Sequence, residues 1–507
     1  MARVFRLLQA HASFGSQSLP LLNLRERELA VAFSPERSPR NSRPFVSVVI
    51  GKNGVGKSRL LARIAGIFHD LDRDRRQRPS HDLTVNRLAY LCDGTVCEMM
   101  FDRDGVRAAG MNGQPVASTA LPLPSRVIAL TTTPFDKFRI PDSLLFPSRK
   151  QKETLSDQPE RYTYIGLRDG RNSLSPTSVI FRSIDGLFEA SRFGADRRTR
   201  IAEVFGFLGY EPSLEIVYEV ALDRGHWIKE IANGNSPGPR DDYRLPRDPP
   251  IQLTQMLARE PTILHELQSA CREWLDRSEG GRIRARADFE QQTEYDPFFQ
   301  QLQLLRRARL IRLRAANLRR VVNREPIDMT RASSGELGIV TSFLGLASVI
   351  EDGSLIFIDE PEISLHPEWQ MQYIDLLLRT FGRFSGCHFV LATHSPLIVS
   401  DISPNNSTLV SLDFSQRDVE PTAELAGKSP DQVLAAAFRS PGRNNLYVKQ
   451  EIIKALRLAA DGQVATEEFQ TILKRLVDLL PEMEQGSPAS KLIHELKETV
   501  ETSAENE

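Results

Sequence analysis

Short, mostly apolar stretches near the start of the chain predict strands. Val4–His11 and Glu28–Phe33 are two of them, and Phe45–Ile50 is apolar except for Ser47. Alternation of apolar and polar residues predicts a strand with one buried face, and a nearly continuous apolar run predicts a strand that is buried on both faces. Leu88–Val116 contains short alternating runs, which are separated by the turn-forming dipeptides Asp93-Gly94, Asp104-Gly105 and Asn112-Gly113. Successive β-hairpins are therefore predicted there, and Arg126–Leu130 predicts a further buried strand.

Helical spacing follows in the middle and at the end of the chain. Apolar residues recur every three or four positions in Asp185–Phe193, Thr199–Leu208, Ile251–Asp276 and Ala287–Leu310. They do so again near the C-terminus, in Asp431–Phe438, Lys449–Ala460, Glu467–Leu480 and Ser490–Thr502. Between these regions, Tyr162–Arg168 predicts a short strand, and Ile311–Val322 with Pro326–Met329 predicts a hairpin. The pattern predicts an α/β protein with a large, mainly helical insert and a helical C-terminal extension.

A glycine-rich turn separates the strand Phe45–Ile50 from the helical segment Arg59–His69. Glycines in such a turn let backbone amides curl around phosphate oxygens, and the helix that follows points its positive end at them. Lys57 would reach the β- and γ-phosphates, and Ser58 would bind Mg²⁺. The candidate nucleotide-binding residues are Gly51, Asn53, Gly54, Val55, Gly56, Lys57, Ser58 and Arg59.

Two later strands are predicted to end beside this turn. The apolar run Ser354–Ile358 leads into Asp359 and Glu360, and the strand His388–Leu391 is followed by His394. The carboxyl ends of parallel strands face one crevice, so these side chains should meet the phosphate-binding turn. We expect Asp359 to hold Mg²⁺, Glu360 to polarise the attacking water and His394 to lie beside the γ-phosphate.

One more segment opens the helical stretch Ile339–Ile350. Its small residues and capping serine, in Arg331–Gly338, predict a second helix start that could bind phosphate. Ser333 and Glu336 also have the spacing of an ordinary capping box, and these residues taken alone favour the capping box.

Size and composition narrow the class of protein. A chain of 507 residues with 40% hydrophobic and 26% charged residues predicts a globular protein with two or three structural units. No apolar run is long enough to span a membrane, the N-terminus lacks a secretory pattern, and four scattered cysteines fit a reducing cytoplasm. The net charge of −1 argues against a polyanion partner for the chain as a whole.

Arginines are nevertheless clustered, at 75–78, 197–200, 282–286 and 306–320. Such clusters would suit a DNA-tracking surface, but solvated helix faces that are paired with the abundant acidic residues are the interpretation we favour. Phe14 or Phe33 could stack on adenine, although each would also suit the core.

The motifs GKNGVGKS, ASSGE, LIFIDEPEISLHP and LATHSP, in that order, resemble the ATP-binding-cassette class of AAA-type ATPases. The resemblance is to the soluble branch that contains the SMC, RecF and overcoming-lysogenization-defect (OLD) proteins, and it covers residues 1 to about 140 and 325 to about 415. It implies an ABC-type P-loop NTPase head, a mixed sheet with helices, that dimerises around ATP. By this resemblance, Ser364 and His366 belong to the D-loop and His394 is the switch histidine. The signature loop, which acts on ATP held by the opposite subunit, would be Ser333, Ser334, Gly335 and Glu336.

The segment TTTPFDKF, the SSGE loop and the helical tail also resemble the ATPase subunit of Septu-type and retron-associated anti-phage systems. In such systems the ATPase works with a separate HNH nuclease or another toxic effector. Contact with DNA, or with the RNA and DNA of a retron, would accompany this role. The TOPRIM nuclease domain of OLD proteins needs an Asp-x-Asp motif, which residues 402–507 lack.

The expected organisation has four segments. Residues 1–140 would form the N-terminal lobe of the ATPase head, 141–324 the insert, 325–415 the C-terminal lobe and 416–507 a partner-docking region. The expected function is an ATP-dependent regulator of a separate effector. The alternative is an SMC- or RecF-like ATPase that acts directly on DNA, for which a long coiled-coil arm would be expected. The irregular stretch Asn233–Pro250 interrupts any such arm. A transporter ATPase is disfavoured by the large insert.

Overall fold

The structure is a computed structural model. It describes residues 3–14, 27–35, 42–72, 83–102, 105–141, 161–168, 180, 183–184, 186–187, 195–235, 249–259, 262–290, 298–403, 405–413, 425, 427–442, 445–484 and 486–504. In this part of the chain, no helix is both long and apolar enough to cross a membrane.

The secondary structure of the described residues is numbered here in chain order. The strands are β1 (Phe5–Phe14), β2 (Arg27–Ala32), β3 (Phe45–Ile50), β4 (Leu83–Cys92), β5 (Thr95–Asp102), β6 (Gly105–Met111), β7 (Gln114–Val116), β8 (Val127–Thr131), β9 (Tyr162–Ile165), β10 (Ser213–Val220), β11 (Arg282–Asp288), β12 (Ile311–Arg319), β13 (Pro326–Asp328), β14 (Leu355–Asp359), β15 (His388–Ala392) and β16 (Ser407–Ser411). The helices are α1 (Lys57–Asp72), α2 (Ala195–Phe207), α3 (Gly225–Ala232), α4 (Ile251–Arg259), α5 (Ile263–Arg277), α6 (Phe298–Arg307), α7 (Ser334–Val349), α8 (Pro367–Gln370), α9 (Tyr373–Thr380), α10 (Pro396–Ser400), α11 (Pro430–Ala436), α12 (Leu446–Ala460), α13 (Glu467–Leu479) and α14 (Pro488–Ala504).

The first of two compact units comprises residues 1–125, 352–378 and 384–507. It holds parallel strands in the order β16-β3-β15-β14 and an antiparallel sheet in the order β2-β1-β4-β5-β6-β7. Helix α1 packs against β4 as well as against β14 and β15. Phe68 of α1 meets Phe5 and Tyr90 edge to face, with ring centroids 5.7 and 5.3 Å apart. This aromatic contact fixes the helix that begins at the glycine-rich turn Gly51–Ser58, called the phosphate loop from here on.

The parallel strands place the candidate site at one edge of their sheet. Every residue of β3, β14 and β15 is buried, as their largely apolar sequences predict. Asp359 pairs in register with Ala392, and Ala392 pairs with Val49. The three strands therefore end together, so the residues that follow them converge.

A histidine joins three strands at the opposite end of this sheet. His388 is fully buried, and its Nδ1 accepts a hydrogen bond from the Leu7 amide at 2.8 Å. Its Nε2 lies 2.7 Å from Ser47 Oγ, which itself donates to the Phe33 carbonyl at 2.6 Å. Ser47 therefore accepts from Nε2, and the ring is neutral because burial drives the His388 pKa well below its ordinary value.

The second unit comprises residues 126–351 and 379–383. Strands β8 and β9 pair in parallel, and an antiparallel sheet has the order β11-β10-β12-β13. Helices α5 and α6 pack on each other, and α7 packs on α2. Helix α6 contacts this sheet through Gln303, which donates to the hydroxyl of the buried Tyr218 on β10 at 3.1 Å.

The C-terminal helices form a small apolar cluster within the first unit. Helices α12, α13 and α14 contact one another around Ile452, Phe469, Leu476 and Ile493, all of which are buried. Helix α13 begins at its cap Thr466, whose side chain accepts from the Phe469 amide.

Most of the predicted elements are present, including the hairpin of β12 and β13 and the helices near the C-terminus. The prediction of a helix over Ala287–Leu310 is wrong at its start, because the strand β11 runs to Asp288 and the helix α6 begins at Phe298. Alternation of Ile283, Ala285 and Ala287 with arginines produces this strand. Phe33 is fully buried, so it belongs to the core and does not stack on a base. Most of Asp185–Phe193, and the arginines of 75–78, lie outside the described residues.

Replacing His388 by Asn should flatten the dependence of stability on pH. In the unfolded chain the histidine titrates near its ordinary pKa of about 6.5, whereas in the fold it stays neutral. Stability from this group is therefore present above pH 6.5 or so and is lost as the pH falls below it, by up to about 1.4 kcal/mol per pH unit. Urea denaturation between pH 7 and pH 5, or thereabouts, measures the effect.

The exposed His494 provides the matched control. The substitution His494→Asn should leave the wild-type pH dependence in place. An equally steep pH dependence in the His388→Asn variant would show that this histidine is not held neutral by the fold.

Candidate nucleotide-binding site

The phosphate loop joins β3 to α1 and has the backbone that its glycines predict. Gly54 and Gly56 have φ angles of 80° and 105°, which side chains with a Cβ rarely adopt. A Cβ on Gly51 would lie 2.8 Å from Val55 Cγ1. The amides at the start of α1 have no partners within the helix, because the first turn of any helix leaves them unpaired. The loop and the helix start therefore form a cradle for an anion.

Lys57 is buried at the base of this loop, with only 4% of its surface exposed. Its Nζ donates to the Gly51 carbonyl at 2.8 Å and lies 3.3 Å from His394 Nδ1. Burial lowers the pKa of Lys57 to about 8, and the carboxylates of Asp413, Glu360 and others oppose that shift. The amine remains mostly charged at neutral pH.

His394 follows β15 and lies between Lys57 and Glu360. Burial, together with the charge of Lys57, lowers the His394 pKa to about 4. The ring is therefore neutral at pH 7, and its 3.9 Å approach to Glu360 Oε1 is not an ion pair. Because Nδ1 faces the ammonium of Lys57, the proton of the neutral ring belongs on Nε2, which faces Glu360.

Ser58 and Asp359 lie together at the first turn of α1. The Ser58 hydroxyl donates to Asp359 Oδ1 at 2.9 Å, and Asp359 is 1% exposed. A hydroxyl and a carboxylate form an all-oxygen donor set, which suits Mg²⁺, since this ion takes few protein ligands and keeps several waters. The described residues contain no cluster of three or more His, Cys, Asp or Glu side chains that could hold a metal. The pair fits a magnesium ion shared with substrate phosphates.

The backbone is strained at two of the candidate residues. Glu360 has a φ angle of 49° and Ser364 one of 68°, conformations that cost non-glycine residues roughly 1–3 kcal/mol each. The Glu360 amide donates to the Ala392 carbonyl at 2.9 Å, which holds the turn against β15. Strain of this kind is concentrated at functional sites.

The structure adds Glu362, which the sequence analysis did not identify as a site residue. Its Oε1 accepts a hydrogen bond from the His394 amide at 2.6 Å, and burial raises the pKa of this carboxyl. Its other oxygen is buried and has no hydrogen-bond partner among the described residues. Glu362 thus ties the turn after β14 to the loop that carries His394. The sequence feature that could have identified Glu362 is its position two residues after Glu360.

Asp413 is a second addition, and it follows β16. Its Oδ2 accepts from the Lys52 amide at 2.5 Å, at the start of the phosphate loop. Strand β16 pairs with β3 in parallel, so its C-terminal end reaches the loop. Only the strand order makes this contact, and the sequence near Asp413 contains no motif that would have indicated it. Asn53 is exposed on the same loop, and Arg59 is half-buried on α1.

The signature-like loop lies in the second unit, at the start of α7. The Ser333 hydroxyl caps the helix by accepting from the Glu336 amide at 3.4 Å, and Ser333 itself is exposed. Glu336 does not complete a capping box: its Oε1 accepts from Tyr210 and from Arg320, each at 2.9 Å. Ser334 and Gly335 form the first turn of α7.

The two candidate D-loop residues lie in the first unit, after the turn that carries Glu360. Ser364 and His366 are both exposed, and His366 Nδ1 caps α8 by accepting from the Glu368 amide at 3.4 Å. Both side chains are thus accessible from outside the subunit.

Solved structures of SMC heads are similar to the chain at a low level. An SMC head bound to the C-terminal winged-helix domain of ScpA matches 80% of this chain and 94% of its own, with a TM-score of 0.33 and 11% identity. The SMC head domain from Thermotoga maritima matches the same shares of both chains, with a TM-score of 0.28 and 12% identity. The strand order and the phosphate loop, not these values, establish the α/β P-loop fold of this chain.

Two curated proteins are similar over shorter segments. The Retron Vc95 probable ATPase of Vibrio cholerae serotype O1 biovar El Tor is 32% identical over 104 residues, which is 20% of this chain and 19% of that protein. Protein ea59 of Escherichia phage lambda is 24% identical over 159 residues, 29% of this chain and 30% of that protein. The chain thus spans less than a third of the length of each relative.

A family model matches residues 146–400, which is about half of the chain. Its description is "AAA domain, putative AbiEii toxin, Type IV TA system". The matched segment begins after the phosphate loop and includes the signature-like loop, Asp359, Glu360 and His394. With a match of this extent, and with the α/β fold and phosphate loop described above, the chain belongs to this family of AAA-domain ATPases.

Proposed function

We propose that the protein binds ATP with Mg²⁺ and hydrolyses it slowly, as the regulatory subunit of a prokaryotic anti-phage defence complex. One observation carries the ATPase part of this proposal. Groups that come from three separate parts of the chain meet at one edge of the parallel sheet: Lys57, Ser58, Asp359, Glu360 and His394.

The phosphate loop and Lys57 would hold the triphosphate. Lys57 is desolvated and charged, so it would gain strongly from an anionic oxygen that replaces the Gly51 carbonyl as its partner. Ser58 and Asp359 would hold Mg²⁺, which when bound neutralises developing charge on the phosphates. The Ser58–Asp359 hydrogen bond already places both oxygens on one side of α1.

Glu360 and His394 would act on the attacking water and on the γ-phosphate. Glu360 is the carboxylate that would accept a hydrogen bond from the water and orient it, as in other phosphoryl-transfer sites. His394 would donate from Nε2 to a γ-phosphate oxygen, because Lys57 already faces Nδ1. Glu362 would fix the position of His394 relative to Glu360, because it accepts from the His394 amide and lies on the same turn as Glu360.

We further propose that two heads close around ATP. Ser333 is exposed at the start of α7, so a triphosphate held by a second subunit could reach the N-terminus of this helix. Glu336 is held by Tyr210 and Arg320, an arrangement that would keep the loop in shape without placing its carboxylate next to the phosphate. Ser364 and His366 would contact the opposite head.

The C-terminal helices would carry the nucleotide state to an effector. Lys52 of the phosphate loop forms an ion pair at 2.6 Å with Glu482, which follows α13. Exposed pairs of this kind add less than about 1 kcal/mol to stability, so the contact is easily broken when the loop closes on ATP. Leu446, Ile453 and Leu456 leave apolar surface exposed on α12, where a partner such as an HNH nuclease could dock. The similarity to a retron ATPase supports this assignment to a defence system.

An SMC- or RecF-like machine that acts on DNA through a coiled-coil arm is the less favoured alternative. The longest described helix, α14, has 17 residues, which is about 26 Å. Helices of this length do not make the extended arm of such machines.

The Glu360→Gln variant should bind ATP normally and hydrolyse it at least about 100-fold more slowly, because the amide cannot accept a proton from water. Closed dimers should then accumulate with ATP, which light scattering would detect as a doubled mass. Phosphate release measures the rate. The control is Glu368→Gln, a change at an exposed carboxylate nearby. Hydrolysis at the wild-type rate by the Glu360→Gln variant would refute the assigned role.

ATP affinity should fall as the pH rises through about 8, because Lys57 then loses the proton that gives it its charge. The Lys57→Ala variant should bind ATP weakly at every pH, whereas Lys52→Ala, in the same loop, should bind almost as well as the wild type. Binding of a fluorescent ATP analogue at several pH values measures both effects. Equal affinity of the Lys57→Ala and wild-type proteins would place the triphosphate elsewhere.

Expression of the native operon should yield a complex of this chain with an effector, and Ile453→Glu on α12 should release the effector while ATP hydrolysis continues. The control is Met100→Glu, since Met100 is equally exposed, at 49%, on β5. Co-purification followed by mass spectrometry measures the complex. If no neighbouring gene product is retained although Glu360→Gln traps the dimer, the regulatory proposal fails and the ATPase proposal stands.

A further inference from the structure

The outer face of the four-stranded sheet in the second unit is lined with arginines. Strands β11, β10 and β12 are neighbours, and their register places Arg286 opposite Glu215 and Arg282 opposite Glu219. The outward arginines are Arg282, Arg284, Arg286, Arg312, Arg314 and Arg319, all exposed. This surface is called the arginine face below.

The buried side of the same sheet fixes which way these side chains point. Ile283, Ile216 and Leu318 alternate with the outward residues and are buried, as is Tyr218, which α6 contacts through Gln303. Because residues alternate between the two faces of a strand, the arginines cannot turn inward without exposing this core.

The acidic residues on the face lie beneath the guanidinium groups. Glu219 is only 12% exposed, and three arginines surround its carboxylate, at 2.7 Å (Arg312), 3.5 Å (Arg282) and 3.8 Å (Arg314). Those three side chains are 51–61% exposed. One carboxylate cannot neutralise three cations, so Glu219 orients the arginines and leaves positive charge facing the solvent.

Two further arginines add charge to the face: Arg284 lies opposite Val217 in the middle of β10, and Arg319 lies at the end of β12. Neither makes an ion pair with an acidic side chain in the described part of the chain, unlike their neighbours Arg282, Arg286, Arg312 and Arg314. A shallow depression lies between Arg286 and Arg319, and it is also lined by Ser213, Glu215, Asn317 and Pro326. Asn317 donates to Glu215 at 3.2 Å and Arg286 pairs with Asp288 at 3.4 Å, so Arg319 is the guanidinium in this depression that is left for an anionic oxygen.

We propose that the arginine face binds the phosphodiester backbone of a nucleic acid. Guanidinium groups match phosphate oxygens with two parallel hydrogen bonds, and same-side residues along a strand recur at about 6.8 Å. The face carries no aromatic side chain among the described residues, so bases would not stack on it and binding would not depend on sequence. This inference is independent of the proposed ATPase mechanism.

The test compares wild-type protein with the double variant Arg284→Glu, Arg319→Glu in anisotropy titrations. The probes are fluorescent single-stranded DNA, duplex DNA and RNA of mixed sequence, and polyglutamate. Wild-type affinity for a nucleic acid should fall linearly with salt on logarithmic axes between about 50 and 200 mM. The double variant should bind at least about tenfold more weakly, and its salt slope should be smaller by about two, because two phosphates would no longer be neutralised.

The control is Arg107→Glu, an exposed arginine on the antiparallel strand β6 of the first unit, which should bind as the wild type does. Circular dichroism and ATP hydrolysis of the double variant should be unchanged, because neither arginine supports the fold or the nucleotide site. The comparison of single-stranded DNA, duplex DNA and RNA identifies the form of nucleic acid. Equal binding by the double variant, or binding of polyglutamate without nucleic acid, would overturn the proposal.

Discussion

The register of three buried parallel strands is the constraint on which the candidate site depends. Asp359, Ala392 and Val49 lie side by side, so Glu360, His394 and the phosphate loop begin at one edge of the sheet. All residues of these strands are buried, so a slip of one position would force side chains of different size into each close-packed layer. Close packing on both faces therefore secures the geometry at the ends of the strands, where the candidate site lies.

The site itself contains unfavourable interactions that a bound triphosphate would relieve. Lys57 is charged but desolvated, His394 is kept neutral beside it, and Glu362 has one buried oxygen without a described partner. Glu360 is held in a strained backbone conformation. Each of these features destabilises the folded state, and the burial of apolar residues in the core beneath the site offsets that destabilisation. A ligand with several negative oxygens would compensate the charge of Lys57 and occupy the cradle around it.

Charge is distributed unevenly in this protein, although its net charge is only −1. In the first unit, carboxylates surround a buried lysine at the nucleotide site, and an exposed pair, Lys52–Glu482, connects the phosphate loop to the C-terminal helices. In the second unit, a sunken glutamate organises exposed arginines on a sheet. The first arrangement suits a small anion at the nucleotide site, and the second suits an extended polyanion on an open surface.

Local sequence alone determined the phosphate loop, the buried strands and most helices, because apolar periodicity and glycine conformation act over a few residues. It also indicated Asp359, Glu360 and His394, since the ends of apolar strands can be located by pattern. It did not indicate Asp413 or the link from Glu362 to His394, and it placed the arginines of β11 at the border of a helix. Tertiary structure decided these, because they depend on which strands are neighbours and on which face of a strand is buried, and both are settled by contacts between residues far apart in the chain.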